Sequence, residues 1–569
     1  MNRLVTFSIS AIMLGSVNIQ VLAQSTPPKR PDDTRPDVQE ELEKPKEQPQ
    51  LTLPPIEELP EPTPVPGILK FQLSGFDFEG NAVFSDEELK DLVKDFIGRE
   101  ITTTDLERIR LTITNYYINN GYINSGAVIP DQDLQNNILK LKITEGRLTT
   151  INLQNDGRLK PSYLTGRIAP DPEKPLNIGA LQENLYLLQQ NPRIKRINAS
   201  LGPGAQRGES ILDIRVTEDK PYALSVEFNN YRPPSIGEKQ GEVRFSHLNI
   251  TGAGDSIDLI YDGTEGLNSG YMLYKYPILK NDTTLNLELE RTESKVIEEE
   301  FKDLDLTSDS WSVNAGFTYP LYTSIYAENS IEFKFSRRHS ESFLGNNLMQ
   351  CQAHGACDVS ALRFIQSALW HNRNEVFSFR QVVSVGVNAV NSTIFTGDET
   401  KVNAFNKHDI VADSRFAAWL LQAQWAKRFS PLNLQTIIRA DAQIAFDYLL
   451  AMEQFSVGGA YTVRGYRENQ YVRDNGVLAS FETRIPVYQS DSSKQQVFTM
   501  VFADYGNAWN YKDQDNADEI SSVGLGLRWT YTDRATAQVY WAHQLREIEY
   551  PGDAWQDDGF HVAIRVNAL

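Results

Sequence analysis

The chain predicts a membrane β-barrel of about sixteen antiparallel strands preceded by two small α+β domains. Three observations carry this. From residue 221 onward the sequence alternates apolar with polar, as in Leu285, Leu287 and Leu289 against Asn286, Glu288 and Glu290. The turn signals between these runs come in two lengths, short and long in alternation. Upstream, residues 67–147 and 148–220 spell the same order of elements twice, and a repeated topology is more informative than either copy alone.

Composition sets the outer limits. At 569 residues the chain exceeds one compact domain. A formal net charge of −20 repels a phosphate backbone and argues against nucleic acid as a partner. A mean hydropathy of −0.41 coexists with 10% aromatic residues. That mix suits a wall with one wet face and one lipid face.

Residues 1–23 read as a signal peptide. Arg3 supplies the basic start, an apolar run follows, and Val21-Leu22-Ala23 offers small residues for cleavage before Gln24. A membrane anchor is the competing reading, weakened by Ser16, Asn18 and Gln20. Beyond Ala23 no apolar stretch is long enough for a spanning helix, so entry into a membrane requires a closed barrel. Residues 24–66, rich in Pro and acidic side chains, form an extended or disordered linker. A short helix at 38–43 also fits the pattern.

In the first α+β domain, residues 71–78 predict a strand. Ser85 and Glu88 form a capping box for a helix that stops near Gly98. Thr104 and Glu107 suggest a second box, starting a helix with Leu106, Ile109, Ile113 and Tyr116 on one face and ending at Gly121. Strands at 123–129 and 138–143 complete the order β-α-α-β-β. The second domain repeats it with a strand at 148–153, helices at 163–168 and around Leu181, Leu185 and Leu188, and strands at 194–201 and 211–216.

In the barrel region, Trp311, Val313, Ala315 and Phe317 alternate with Ser312, Asn314 and Gly316, and Ile331, Phe333 and Phe335 with Glu332, Lys334 and Ser336. Period two sends one set outward and the other inward. Charges such as Glu288 and Lys334 would be ruinous in a small packed barrel and are normal in a water-filled one. Long polar segments near 293–308, 340–358, 391–411, 450–474 and 546–557 alternate with tight turns, the asymmetry of an outer-membrane barrel. The C-terminal end departs from the usual aromatic residue. Phe560, Val562, Ile564 and Val566 share the outward face, whereas Leu569 has the opposite parity.

Two short motifs stand out. Val463-Arg464-Gly465-Tyr466 lies in a Gly-rich loop between strands eleven and twelve, and Phe502, Asp504 and Gly506 lie on strand thirteen. A loop Arg and a wall Asp can pair only if the loop folds into the hollow of the barrel. Arg offers a planar fork that grips a carboxylate at two points. Gly465 lets the loop bend, and Gly506 clears room on the wall. Arg467 and Arg473 nearby read as solvated loop residues of little energetic weight. Gly524-Leu525-Gly526 reads as wall rather than a phosphate cradle, and with no P-loop or nucleophile motif present, no cofactor and no enzymatic activity are expected. Cys351 and Cys357 suggest a loop disulfide. A metal site with His354 is the alternative, although a fourth ligand is missing.

The strings Phe78-Glu79-Gly80-Asn81, Asn120-Gly121-Tyr122 and Ile143-Thr144-Glu145-Gly146 resemble those of POTRA domains, the periplasmic polypeptide-binding modules of outer-membrane transporters. With both barrel motifs in order, nearly the whole mature chain resembles a two-partner secretion transporter, the TpsB or haemolysin secretion/activation type. The resemblance implies POTRA domains at 67–147 and 148–220 in the periplasm and a transmembrane barrel at 221–569. It implies a loop that bends into the pore with Arg464 paired to Asp504, and a secreted TpsA-like exoprotein as partner. A monomeric barrel in outer-membrane lipid is expected, and a helix before the first domain can plug the pore in that family. A barrel-assembly factor, which shares both motifs, and a passive porin are the rival readings.

Overall fold

The computed structural model describes residues 50–52, 70–133, 137–169, 171, 173–299, 302–344, 347–348, 356–395, 412–430, 432–490, 494–550 and 553–568. The signal peptide, most of the linker with its 38–43 helix, and the residues Cys351, His354 and Leu569 lie outside the described residues. Two compact units form, Glu47–Asp219 and Lys220–Leu569.

The first unit holds two α+β folds of one topology. In the first, Gly75–Glu79 runs parallel to Ile138–Thr144, which pairs antiparallel with Gly126–Val128. In the second, Arg147–Asn155 runs parallel to Glu209–Glu218, which pairs antiparallel with Ile194–Pro203. Helices α1 (Asp86–Val93) and α2 (Thr103–Asn119) belong to the first sheet, and α3 (Pro161–Ile168) and α4 (Ile178–Gln190) to the second. Each fold has its own core, one around Phe76, Leu89, Ile109 and Leu141, the other around Leu164, Leu185, Ile197 and Ile214.

The motif strings meet in space. The Glu145 carboxylate accepts hydrogen bonds from the Ala82 and Val83 amides at 2.7 and 2.8 Å and from the Tyr117 hydroxyl at 3.0 Å. Gly80 has φ +89°, and a Cβ there would sit 2.6 Å from the Ile143 carbonyl oxygen, so only glycine makes that turn without strain. Gly121, at the end of α2, accepts from the Ile178 amide that opens α4.

Three expectations shift. Residues 71–78 do not form one strand. Lys70–Gln72 pairs with Glu100–Thr102, while Gly75–Glu79 joins the main sheet. Leu73 between them exchanges backbone hydrogen bonds with the 98–99 turn. The predicted strand 123–129 shrinks to Gly126–Val128. The box at the start of α2 is Thr102 with Asp105, two residues upstream of Thr104 with Glu107. Strand Glu100–Thr102 runs straight into the helix, so Thr102 is the first residue with its side chain free to cap. Glu107 instead pairs with Arg110.

A further strand comes from the linker. Gln50–Thr52 pairs in parallel with Asn198–Ser200 on the edge of the second sheet.

The second unit is a closed antiparallel barrel. Its sixteen wall strands are β1 (Tyr222–Asn229), β2 (Gln240–His247), β3 (Ser256–Gly263), β4 (Leu267–Pro277), β5 (Thr284–Lys295), β6 (Leu306–Thr323), β7 (Ala327–Leu344) and β8 (Ala356–His371), then β9 (Glu375–Gly386), β10 (Ala417–Phe429), β11 (Leu434–Ala445), β12 (Asn475–Ser490), β13 (Gln495–Asn510), β14 (Asp513–Tyr531), β15 (Ala535–Gln544) and β16 (Phe560–Asn567). Strand β1 closes on β16 through five residue pairs, Ser225–Asn567 to Asn229–Ala563, with an Arg565–Glu227 ion pair at 2.6 Å across the seam.

The alternation places side chains as the pattern requires. Leu285, Leu287, Leu289, Trp311, Phe317 and Phe333 are exposed on the outside, and Asn286, Glu288, Asn314 and Lys334 are buried within. The inward charges pair with each other, as in Lys334–Glu288 at 2.8 Å. Leu525 faces out from β14 while its flanking glycines sit beneath the Phe502 and Tyr540 rings. Phe560, Ile564 and Val566 are exposed on β16. No helix among the described residues is long and apolar enough to cross a membrane.

Candidate functional site: a loop tied inside the barrel

The loop joining β11 to β12 carries the first motif. Its stem is a small hairpin, Phe455–Val457 paired antiparallel with Tyr471–Arg473. Gly458 and Gly459, with φ near +109° and +106°, turn the chain out of that hairpin. A Cβ on Gly459 would meet the Glu468 carboxylate at 2.2 Å.

On β13, period two puts Phe502, Asp504 and Gly506 on the lumen face, with Ala503 and Tyr505 pointing away. Each of the three has its own part in receiving the loop. The Arg464 guanidinium grips Asp504 at two points, Nε to Oδ2 at 2.8 Å and Nη2 to Oδ1 at 2.9 Å, and its backbone amide donates to the same carboxylate at 3.1 Å. The guanidinium carbon lies 3.5 Å above the centre of the Phe502 ring. Gly506 leaves space that Val457 and Val463 fill; a Cβ there would come within 2.2 and 2.8 Å of their methyl carbons. Arg464 and Asp504 are each only 3% exposed.

The neighbouring strand β12 adds partners that the sequence reading missed. Glu482 takes the remaining arm of the Arg464 fork. Ser480 donates to Asp504 at 2.7 Å. Arg484 donates to Glu482 at 2.7 Å. Arg464 therefore meets two carboxylates, with a second guanidinium beyond them. The signal was present in the parity of Ser480, Glu482 and Arg484, but one acidic residue on an alternating strand looks like many others.

Gly465 and Tyr466 fix the loop further round the wall. The Gly465 amide donates to His561 Nε2 at 3.0 Å and its carbonyl accepts from Gln544 at 2.6 Å. Gly465 has φ +91°, and a Cβ there would meet that of Ala542 at 2.7 Å. The Tyr466 ring is fully buried with Val463, Leu478 and Ile520, and its hydroxyl lies 2.9 Å from the Ser521 carbonyl oxygen.

Arg467 corrects the sequence reading. It is not solvated: it pairs with Asp557 at 2.7 Å in the last long loop and with Glu298 at 2.8 Å between β5 and β6. Nothing in the sequence marks either partner, because all three residues sit in segments without periodicity. Arg473 is one-third exposed and pairs with Asp518 at 2.6 Å.

Cys357 opens β8 and is disulfide-bonded. No group of three or more metal-ligating side chains is assembled among the described residues.

A closed barrel of sixteen strands behind POTRA-type domains, with an external loop tied into its lumen, defines an outer-membrane transporter of the POTRA-barrel kind. The chain belongs to the haemolysin secretion/activation protein family, ShlB/FhaC/HecB, whose description matches residues 208–529; the ShlB-type POTRA domain matches residues 71–146. It is similar to the heme/hemopexin transporter protein HuxB of Haemophilus influenzae (strain 86-028NP), 24% identical over 483 residues, 81% of this chain and 81% of HuxB. It is likewise similar to the outer membrane transporter CdiB of Dickeya dadantii (strain 3937), 24% identical over 516 residues, 87% of this chain and 86% of CdiB. Among solved structures, CdiB from Escherichia coli superposes with a TM-score of 0.68 at 18% identity, covering 90% of this chain and 94% of that one. CdiB from Acinetobacter baumannii gives 0.63 at 17% identity, covering 93% and 95%. The chain is thus a two-partner secretion transporter of the outer membrane, with its POTRA domains in the periplasm.

Proposed function

We propose that this chain exports one extended exoprotein through its own barrel, with the tied loop as the gate, and that it carries out no enzymatic step. The observation that carries the reading is the two-point Arg464–Asp504 pair, buried between an external loop and the lumen wall. A loop held by packing alone would have no reason to put an ion pair there. A loop held by charges can be released without disturbing the apolar outer face that meets lipid. One chain supplies all sixteen wall strands, which supports a monomeric conduit.

Capture in the periplasm works by strand addition, an extended segment of the exoprotein pairing with a sheet edge of the POTRA domains. The pairing of Gln50–Thr52 with the second sheet supports this, because that edge already takes a short extended segment. The sequence carries no nucleotide-binding motif, so the drive comes from outside the chain, through folding of the exoprotein at the cell surface. The family match favours secretion over the assembly-factor reading.

Charge exchange tests the gate. Asp504→Arg places like charges together and is expected to impair secretion of the partner exoprotein, measured in culture supernatant. Adding Arg464→Asp restores secretion in part only, because the carboxylate introduced at position 464 would then face Glu482. Full secretion by the single variant would remove this pair from the mechanism.

A further inference from the structure

Besides the Arg464 and Arg467 clusters, the stem of the same loop carries a third ion-pair cluster, on a different sector of the wall. Glu453 ends a short 3-10 turn, Ala451–Glu453, just before the hairpin. Its carboxylate lies between two lumen-facing guanidiniums. Arg363 on β8 donates to both oxygens at 2.8 and 3.0 Å, and Arg338 on β7 donates at 3.0 Å. Arg338 also donates to the Met452 carbonyl at 2.8 Å.

The wall holds these arginines in place. Arg363 donates to Ser336 on β7 at 3.1 Å and to Ser384 on β9 at 2.7 Å. The Glu453 carbonyl accepts from Gln443 on β11 at 3.1 Å. Asp474, at the other foot of the loop, accepts from the Leu449 amide at 3.0 Å and from Gln454 at 2.9 Å, so the two feet are stapled together. All three side chains of the cluster are more than nine-tenths buried. A cavity of about 270 Å³, lined by Arg338, Arg363 and Glu453 and by Gly458, Thr462 and Glu468 of the loop, opens beside it. Packing is therefore incomplete on this side, and the charges add to an apolar contact of Leu449, Leu450 and Met452 with Val359, Ala361 and Ala418 of the wall.

The Glu453 and Arg464 clusters lie apart. In the barrel order, β8 is five strands from β13. We propose that Glu453 is a second lock on the loop, a positioning residue that ties the stem to β7 and β8 while Arg464 ties the tip to β12 and β13. The loop is then a strut tied to the wall at both ends, and it leaves the lumen only when both clusters part, together with the Arg467 pairs to the neighbouring loops. This rests on the reading of the loop as the gate.

Two restraints in parallel make a specific demand. Breaking either one leaves the loop held by the other, so Glu453→Gln and Asp504→Asn alone each raise the frequency of large openings in planar bilayers only modestly. The double variant exceeds the product of the single effects by about tenfold, within the coupling range of residues that act on one structure. Glu453→Arg sets like charges against Arg338 and Arg363 and raises opening above the level of Glu453→Gln but below that of the double variant, and adding Arg363→Glu lowers it again, a rescue that loss of fold would not show. Heat-modifiable migration in gels checks that each barrel is folded.

If Glu453 substitutions leave gating unchanged in both backgrounds while Asp504→Asn opens the barrel, the second lock is wrong and the gate stands. If neither position alters gating, the gate reading falls with it. A double variant equal to the product of the singles overturns the coupling of the two locks.

Discussion

Gly506 matters through the side chain it lacks. Its alternate position on β13 faces the lumen, and two valines of the loop occupy the volume that a larger residue would claim. Gly506→Val keeps a good strand former in the wall yet overlaps Val457 and Val463, a clash that costs about 1–3 kcal/mol in a packed site. The expected outcome is a folded, heat-modifiable barrel with lowered secretion and more frequent openings; unchanged gating would show that the loop does not need this contact. At this scale the Phe502, Asp504 and Gly506 spacing was legible because period two is enough to put ring, carboxylate and gap on one face. Glu482, Arg467 and Glu453 were not legible. Their partners lie on strands or loops far away in sequence, and long-range pairing of single charges leaves no local mark. Removing one partner of a shielded pair costs about 3–5 kcal/mol, less where water reaches the lumen, so loss of Asp504, which leaves Arg464 with Glu482 alone, weakens the hold on the loop tip.

Among the elements, the α2 cap is instructive. The sequence offers Thr102 with Asp105 and Thr104 with Glu107 in overlapping frames, and only the end of the preceding strand decides between them. Thr102→Ala removes the hydroxyl that receives the Asp105 amide and costs about 1 kcal/mol, whereas Thr104→Ala has little effect. Hydrogen exchange of the first-turn amides in the full-length protein distinguishes the two. The same cap responds to acid. Burial pushes the Asp105 carboxyl up, but hydrogen bonds from Thr102 and the nearby Arg99 and Arg108 outweigh it and hold the group below the usual carboxylate range. A depressed folded value means that the stabilisation is present above about pH 4, the unfolded value, and is lost as pH falls through the folded one. Protection of the α2 start therefore declines on acidification below about pH 4. The break at Leu73 was legible but passed over: Phe71 and Leu73 share one parity, Phe76 and Phe78 the other, and the switch falls at Ser74-Gly75, where the chain leaves one sheet for the next.

Across the whole molecule, the barrel was the most legible part. Sixteen strands, their inward charges and the alternation of short and long connections all follow from rules that hold locally and repeat many times. The repeated topology of the POTRA folds was legible for the same reason. The linker strand was not, since three residues within a Pro-rich tract carry no periodicity. Its presence has a consequence for how cargo is received. The sheet edge that would welcome an incoming polypeptide has an incumbent, tethered to the same molecule and so present at roughly millimolar effective concentration. Apparent affinity for a guest is then the intrinsic one reduced by the fraction of edges left vacant. Replacing Gln50 and Thr52 with proline, which cannot donate to a β-ladder, should tighten binding of an exoprotein segment several-fold in titration calorimetry; unchanged affinity would move capture to another edge. With only three residue pairs to defend its seat, the incumbent yields to longer strands and turns away shorter ones, so a competition inside the chain becomes a filter for length.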